Sequence, residues 1–285
     1  MTAPPVSLSA HLPLLAVLAA AVMHAAWNAM VKMRGDRLAA LGLIDAWALL
    51  LALAAAPLVA FPPPAVWPYL LASLAVTTLY RVLLVAAYNR GDLGQVYPLM
   101  RGSAPLFVAV LAAVAAGERI SPMGYAGVGV LSAGILSLVT WSRLNARQYR
   151  LVGLALATGM SIACYTLIDS LGVRSAKDVL MYVVWLEVIE HVPLPLYLAL
   201  TRRHGFRDLV LRDWKTGLTG AGAKIGAYGL VLWAVSVAAI AQVAALRETS
   251  VIIAALIGHF LFREPFGAKR ILASVLVAAG ILLLQ

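Results

Sequence analysis

"VAALRETSVIIAALIG", residues 243–258, sets Arg247 and Glu248 inside a run that otherwise reads as apolar helix. If that run crosses a membrane, each charge at mid-depth costs from about 2.5 to more than 10 kcal/mol, depending on method, unless something compensates it. The reading of this stretch therefore decides the fold, and the rest of the chain settles where it lies. Of the 285 residues, 63% are hydrophobic and 12% charged, with mean hydropathy +0.92. Soluble domains run at about 45–50% apolar and about 25% charged. A membrane helix needs roughly 20 mostly apolar residues, and such runs fill nearly the whole sequence. The expected fold is all-α and integral to the membrane.

Breaks at charges, prolines and glycines divide the chain into ten spans: 12–33, 37–60, 67–89, 93–116, 121–141, 151–173, 178–200, 216–238, 240–262 and 266–285. The N-terminus lacks the basic n-region of a signal peptide, and its apolar run continues past Trp27, so it reads as the first span. The net charge of +10 sits mainly in short loops. It therefore serves topology and does not point to nucleic acid. Loops after the odd-numbered spans carry 15 Lys and Arg, against Arg119, Arg174 and Lys177 on the other face. By the positive-inside rule the first face is cytoplasmic in a cell (inner) membrane, with both termini outside.

The opening stretch has a twin. "PLMRGSAPLFVAVLAAVAAGERI" (98–120) aligns with "AALRETSVIIAALIGHFLFREPF" (244–266) at an offset of 146, pairing Arg101 with Arg247 and Glu118 with Glu264. The same offset pairs "AGIL" at 133–136 with "AGIL" at 279–282. Five spans per half means the second half is inverted relative to the first. This gives two repeats, 1–146 and 147–285, the plan of many secondary transporters with a site at the repeat interface.

At these residues the chain resembles the drug/metabolite transporter superfamily, in its EamA branch of ten-helix carriers. The resemblance is carried by "GDLGQVYPLMRGSAPLFVAVLAAVAAGE" (91–118), "QVAALRETSVIIAALIGHFLFRE" (242–264), "HAAWNAMVK" (24–32) and "YTLIDSLGVR" (165–174). It implies a central cavity lined by the third, fourth, eighth and ninth helices, which would gather Arg81, Arg101, Lys224 and Arg247 around one space. Typical members keep their termini in the cytoplasm, so the charge count here departs from the family's pattern.

The charged residues within spans carry the chemistry. Arg101 and Arg247 straddle the midplane, and a planar guanidinium holds a carboxylate or phosphate in two places. The competing reading is a structural ion pair. Glu248, adjacent to Arg247, points about 100° away and needs another partner. Tyr97 lies one turn from Arg101, and Pro98 marks a kink or hinge. Lys224 and Tyr228 share a face, and Gly222 and Gly226 form a GxxxG surface. Four cations favour an anionic or zwitterionic cargo, oriented by Tyr97 and Tyr228. Glu187 and Glu190, i and i+3, are candidates for proton coupling together with Glu248; Asp45 competes with them. Asp169 lies near a span end, where it reaches interfacial water. His24, Trp27 and Asn28 share a face of the first span and read as helix-to-helix contacts. Glu118 and Glu264 read as structural, and Trp67, Trp141 and Trp214 as interfacial anchors.

One cysteine, Cys164, excludes an internal disulfide and a Cys-based metal cluster, and no cofactor is expected. No G-x-x-x-x-G-K-[ST] loop suggests ATP use, and no H-E-x-x-H suggests a metalloenzyme. The function expected is secondary transport, by alternating access, of an amino acid, carboxylate, phosphonate or phosphorylated metabolite. The alternatives are a flippase for a lipid-linked sugar phosphate and a membrane-embedded lipid enzyme. A homodimer is left open.

Overall fold

A computed structural model describes residues 8–89, 93–138, 146–262 and 268–284. Among them every regular element is helical. In order these are α1 (Leu8–Lys32), α2 (Arg37–Ala55) with a 3-10 turn (Ala56–Leu58), α3 (Trp67–Tyr88), α4 (Leu93–Ala115), α5 (Pro122–Leu136), α6 (Ala146–Ala176), α7 (Val179–Glu190), α8 (Pro193–Thr201), α9 (Arg203–Arg212), α10 (Trp214–Val237), α11 (Ile240–Arg247), α12 (Thr249–Phe262) and α13 (Ala268–Leu283). Seven stretches among the described residues are long and apolar enough to cross a membrane: Leu12–Lys32, Arg37–Leu58, Trp67–Ala87, Val96–Ala115, Gln148–Ala176, Val179–Thr201 and Trp214–Val237. The helices α5 and α13 are apolar but shorter.

Two of the ten expected spans are not single helices. The seventh breaks between α7 and α8 at His191 and Val192, because Pro193 and Pro195 supply no backbone N–H and fit only the first turn of a new helix. The ninth breaks at Glu248 without a proline. There the chain tightens to i→i−3 bonds, Glu248 N to Ala245 O at 3.0 Å and Val251 N to Glu248 O at 2.9 Å. By contrast α4, which holds both Pro98 and Pro105, runs through as one helix. An additional short helix, α9, occupies what reads as a loop; Phe206 packs inward while Arg207 and Arg212 stay exposed.

Each end of the bundle is tied by its own polar contacts. At one end the α1–α2 connection meets α9 and the start of α10: Arg34 pairs with Asp213 and bonds Thr216 Oγ1 at 3.2 Å, and Arg202 pairs with Asp36. Trp47 Nε1 donates to Val210 O at 3.2 Å. At the other end Glu118 accepts from Ile240 N at 2.7 Å and pairs with Arg174 at 2.6 Å. Arg174 in turn donates to Val235 O and Ala238 O, at 2.8 Å each. Glu118 is thus structural as expected, though it caps α11 rather than the helix that follows it in sequence.

Close helix contacts run over glycines. A Cβ on Gly280 of α13 would lie 2.7 Å from Gly127 O of α5, and one on Gly134 of α5 would lie 3.1 Å from Ala273 O of α13. On α10 the close approaches to α2 are at Gly217, against Trp47, and Gly220, against Ile44. The expected Gly222–Gly226 surface does not form: Gly222 faces open space, and only Gly226 is close to a neighbour, Met23 of α1. Gly217, Gly220 and Lys224 follow one another at i, i+3, i+7, and that is the face α10 turns to α2.

Candidate functional site

Two clusters of buried charge each join residues from the first and second halves of the sequence. The first forms where α4 meets the α11–α12 break. Arg101 of α4 is 6% exposed and its Nε lies 2.8 Å from Glu248 Oε2; its Nη2 donates to Ser250 Oγ at 3.2 Å. Glu248 therefore finds its partner, Arg101, in the first half of the sequence. Arg247 is equally buried, at 6% exposed, yet no ion pair or hydrogen bond reaches its guanidinium among the described residues. Beside it, Thr249 Oγ1 is buried without a hydrogen-bond partner, as is Trp27 Nε1 on α1, which packs against both α11 and α12. Tyr97 packs beside this site and lies within electrostatic reach of Arg101, Arg247 and Glu248.

The second cluster joins α2, α3, α6, α7 and α10. Asp45 pairs with Lys224, whose ammonium also lies 5.5 Å from the ring centre of Trp27. His191, at the end of α7, sits between two acids: Nε2 is 3.6 Å from Asp45 Oδ1 and Nδ1 is 3.1 Å from Glu187 Oε2. Glu190 accepts from Ser73 Oγ at 3.0 Å and Thr77 Oγ1 at 2.7 Å. Arg81 Nη1 donates to the Glu190 carbonyl at 3.1 Å. Asp169 is fully buried, accepting from the hydroxyls of Tyr182 and Tyr228, so it does not reach interfacial water as its place in the sequence suggests.

Arg101 and Arg247 lie in the first cluster, Lys224 and Arg81 in the second. Tyr228 goes with the second cluster and Tyr97 with the first. Of the acids, Glu248 is in the first cluster and Glu187 and Glu190 in the second, where Glu187 meets His191 and Glu190 meets Ser73 and Thr77. His24 stacks edge-on against Trp27 at 5.2 Å and is within electrostatic reach of Arg101, Arg247 and Lys224, which places this face of α1 between the clusters. Asn28 bonds the His24 carbonyl at 2.7 Å. Glu264 and Trp141 lie outside the described residues. His191 was missed by sequence reasoning. Its signal was available: it falls at i+4 from Glu187 and just ahead of the prolines that end α7.

With this geometry in place, comparison with known proteins is informative. A family model described as "EamA-like transporter family" matches residues 150–285. The match covers the second half of the sequence and makes that half similar to this family of transporters. No curated protein matches the chain. A solved structure described as "Crystal structure of protein" superposes with TM-score 0.70 over 96% of each chain at 14% identity. Such a likeness shows the shared fold alone. Together, the EamA match and the long apolar helices make this a multi-pass membrane protein of the transporter kind, consistent with the drug/metabolite transporter superfamily. The matched segment includes Arg247, Glu248, Lys224, Glu187 and His191.

Proposed function

We propose that the protein is a secondary transporter that moves a small anionic or zwitterionic metabolite by alternating access, and that Arg247 holds the acidic group of the cargo. One observation carries the reading. A guanidinium is buried at an interruption in α11–α12 with no ion pair of its own among the described residues: the one carboxylate within electrostatic reach of both arginines, Glu248, is engaged by Arg101, the repeat mate of Arg247. Burying an unpaired charge is costly. A cargo carboxylate, phosphonate or phosphate supplies the missing partner, and Arg can bind it through two parallel N–H bonds. Two buried donors lack partners, Thr249 Oγ1 at the same break and Trp27 Nε1 on α1, which packs on α11 and α12, and Tyr97 adds a hydroxyl. Arg101, held by Glu248 across the two halves, is the group a rocking motion would release or recapture.

Support for two inverted halves comes from the helix bounds and the contacts. Shifting α5 (122–136) by 146 gives 268–282, against Ala268–Leu283 for α13. The same shift turns the α1–α10 contact into the α6–α3 contact, and both are among the most extensive in the molecule. It also maps the approach of Gly134 to Ala273 O onto that of Gly280 to Gly127 O, as a two-fold axis between α5 and α13 requires. The charge segregation favours ten crossings in the inner membrane with both termini outside. The grouping of Glu118, Arg174 and Ile240, all near loops after even-numbered spans, agrees with that alternation.

The test is counterflow in proteoliposomes with labelled amino acids, carboxylates, phosphonates and phosphorylated metabolites. Arg247→Gln should lose about 1.5–3 kcal/mol of cargo binding, the usual value of a hydrogen bond to a charged group, or about 10–100-fold in affinity. Arg247→Lys should recover part of it. Normal transport by a folded Arg247→Gln protein would end the assignment, and movement of a lipid-linked sugar phosphate alone would favour the flippase.

A further inference from the structure

The second cluster has too few cations for its acids. Asp45 on α2 pairs with Lys224 on α10, Arg81 on α3 bonds the Glu190 carbonyl, and Glu187 and Glu190 on α7 and Asp169 on α6, which is held by Tyr182 and Tyr228, complete the group. That makes four carboxyl groups against two fixed positive charges. The carboxyl groups can themselves take a proton, but His191 is the group bonded into the cluster that can turn from neutral to positive; His24 of α1 is within electrostatic reach of Lys224, and Tyr182 and Tyr228 donate to Asp169. The 3-10 turn brings no titratable side chain, and α8 only Tyr197, which is exposed. Asp45, Glu187 and His191 are respectively 0%, 3% and 2% exposed. Within this enclosure Asp45 Oδ2, Glu187 Oε2 and His191 Nε2 have no hydrogen-bond partner.

The tautomer of His191 follows from its neighbours. Its Nδ1 lies 2.9 Å from the Glu187 backbone carbonyl, which can only accept, so Nδ1 carries the hydrogen. In a neutral ring Nε2 is then a bare lone pair, facing the Asp45 carboxylate at 3.6 Å. A proton on Nε2 converts that contact into an ion pair and removes one of the unbalanced negative charges at the same time.

We propose that this cluster is the binding site of a coupling proton, taken up at His191 Nε2 between Asp45 of the first half and Glu187 of the second. Proton coupling at this place rests on the carrier reading above. It assigns the coupling role to a site separate from Arg247 and centred on a residue outside the expected acids. Because Asp45 is in the first half and His191, Glu187 and Lys224 are in the second, any motion of one half against the other changes the distance from Nε2 to its carboxylate. The break at Val192–Pro193 lets α7 carry His191 independently of α8. A rocking motion then loads the proton from one side and sheds it to the other.

The experiment uses the full-length protein in proteoliposomes carrying a trapped pH dye, with the same panel of labelled anions. Wild type should show counterflow at equal pH, accumulation when a pH gradient is imposed, and proton movement when cargo is added. His191→Gln, which keeps a donor for the Glu187 carbonyl but cannot take a proton, should lose gradient-driven accumulation and dye response down to the level of vesicles with the gradient collapsed. Glu187→Gln, should the first variant fail to fold, should lower the dye response and shift the pH dependence of accumulation. If wild-type counterflow proceeds with no proton movement, or a sodium gradient drives accumulation instead, the proton site is overturned while the carrier stands. Gradient-driven accumulation by a folded His191→Gln protein overturns it too. Absence of counterflow for every anion in the panel overturns the carrier reading itself.

Discussion

The cluster at Arg247 and the cluster at His191 are both buried, and both bridge the two halves, but they err in opposite directions. Around the α11–α12 break two arginines share one carboxylate, and donors are left over. Around the α7–α8 break four carboxyl groups share two cations, and acceptors are left over. A buried ion pair by itself says little about function, because desolvation offsets much of the attraction. The residual charge is the informative part: a surplus cation asks for an anion, and a surplus carboxylate asks for a proton. Both surpluses sit where a helix is interrupted, as in other transporters whose broken helices line the site.

The largest effect that could break this comparison is on stability. Lys224→Met leaves Asp45 and its three acidic neighbours with Arg81 alone, so it should cost about 3–5 kcal/mol, the usual loss when one partner of a buried pair is removed. Adding Asp45→Asn should restore most of that, and thermal unfolding in detergent reads both. Arg101→Gln should cost less, about 1–3 kcal/mol, the value of an unsatisfied buried acceptor, because Glu248 remains within electrostatic reach of Arg247. If Arg101→Gln proved the more damaging of the two, the surplus of cations in the first cluster would not be real.

These clusters also mark how far the sequence could be read. The membrane class, the apolar helices and the family resemblance follow from composition and from Arg101, Arg247 and Glu118 recurring at one interval, which is local information. The ion pair of Glu248 was half legible: adjacency to Arg247 rules out a shared face, so a distant partner was required, but nothing in the residues named Arg101. Lys224 and Tyr228 share a helix face, yet one pairs with Asp45 and the other with Asp169. The divergence arises because α10 packs on both α2 and α6, and a helical wheel does not say which neighbour covers which edge. His191 was hidden for a similar reason. Its role depends on Asp45, 146 residues earlier, approaching from another helix. The helix breaks divide the same way: the prolines predict the one at Pro193, whereas the one at Glu248 has no proline and the prolines of α4 leave it unbroken.

The smallest effects belong to the end of the bundle tied by Arg34, Asp36, Arg202 and Asp213, where one exposed and one half-buried pair contrast with the buried ones. Asp36 accepts from Ala39 N at 3.0 Å as the N-cap of α2, and this bond, aided by Arg202, holds its carboxyl below the usual range. Asp213 is held low chiefly by its hydrogen bond from Arg34. A carboxyl whose folded value is depressed contributes stability that is present above its unfolded pKa, about 3.9 for aspartate, and is lost as pH falls through the lower folded value. Unfolding temperature should therefore be flat from neutral pH to about pH 5 as far as these two groups act. It should fall only in more acid solution, and Asp36→Ala should cost about 1 kcal/mol, mostly as a lost cap. High salt should weaken the Arg34–Asp213 and Arg202–Asp36 pairs, since exposed charges are screened, and leave the Arg101–Glu248 and Lys224–Asp45 pairs almost untouched. A salt titration of wild type against Arg34→Gln and Arg101→Gln checks this, because a surface pair loses its contribution to salt and a buried pair keeps it. Equal salt sensitivity in both variants would mean that water reaches Arg101, and the first cluster would then hold its charges by hydration instead of by ions.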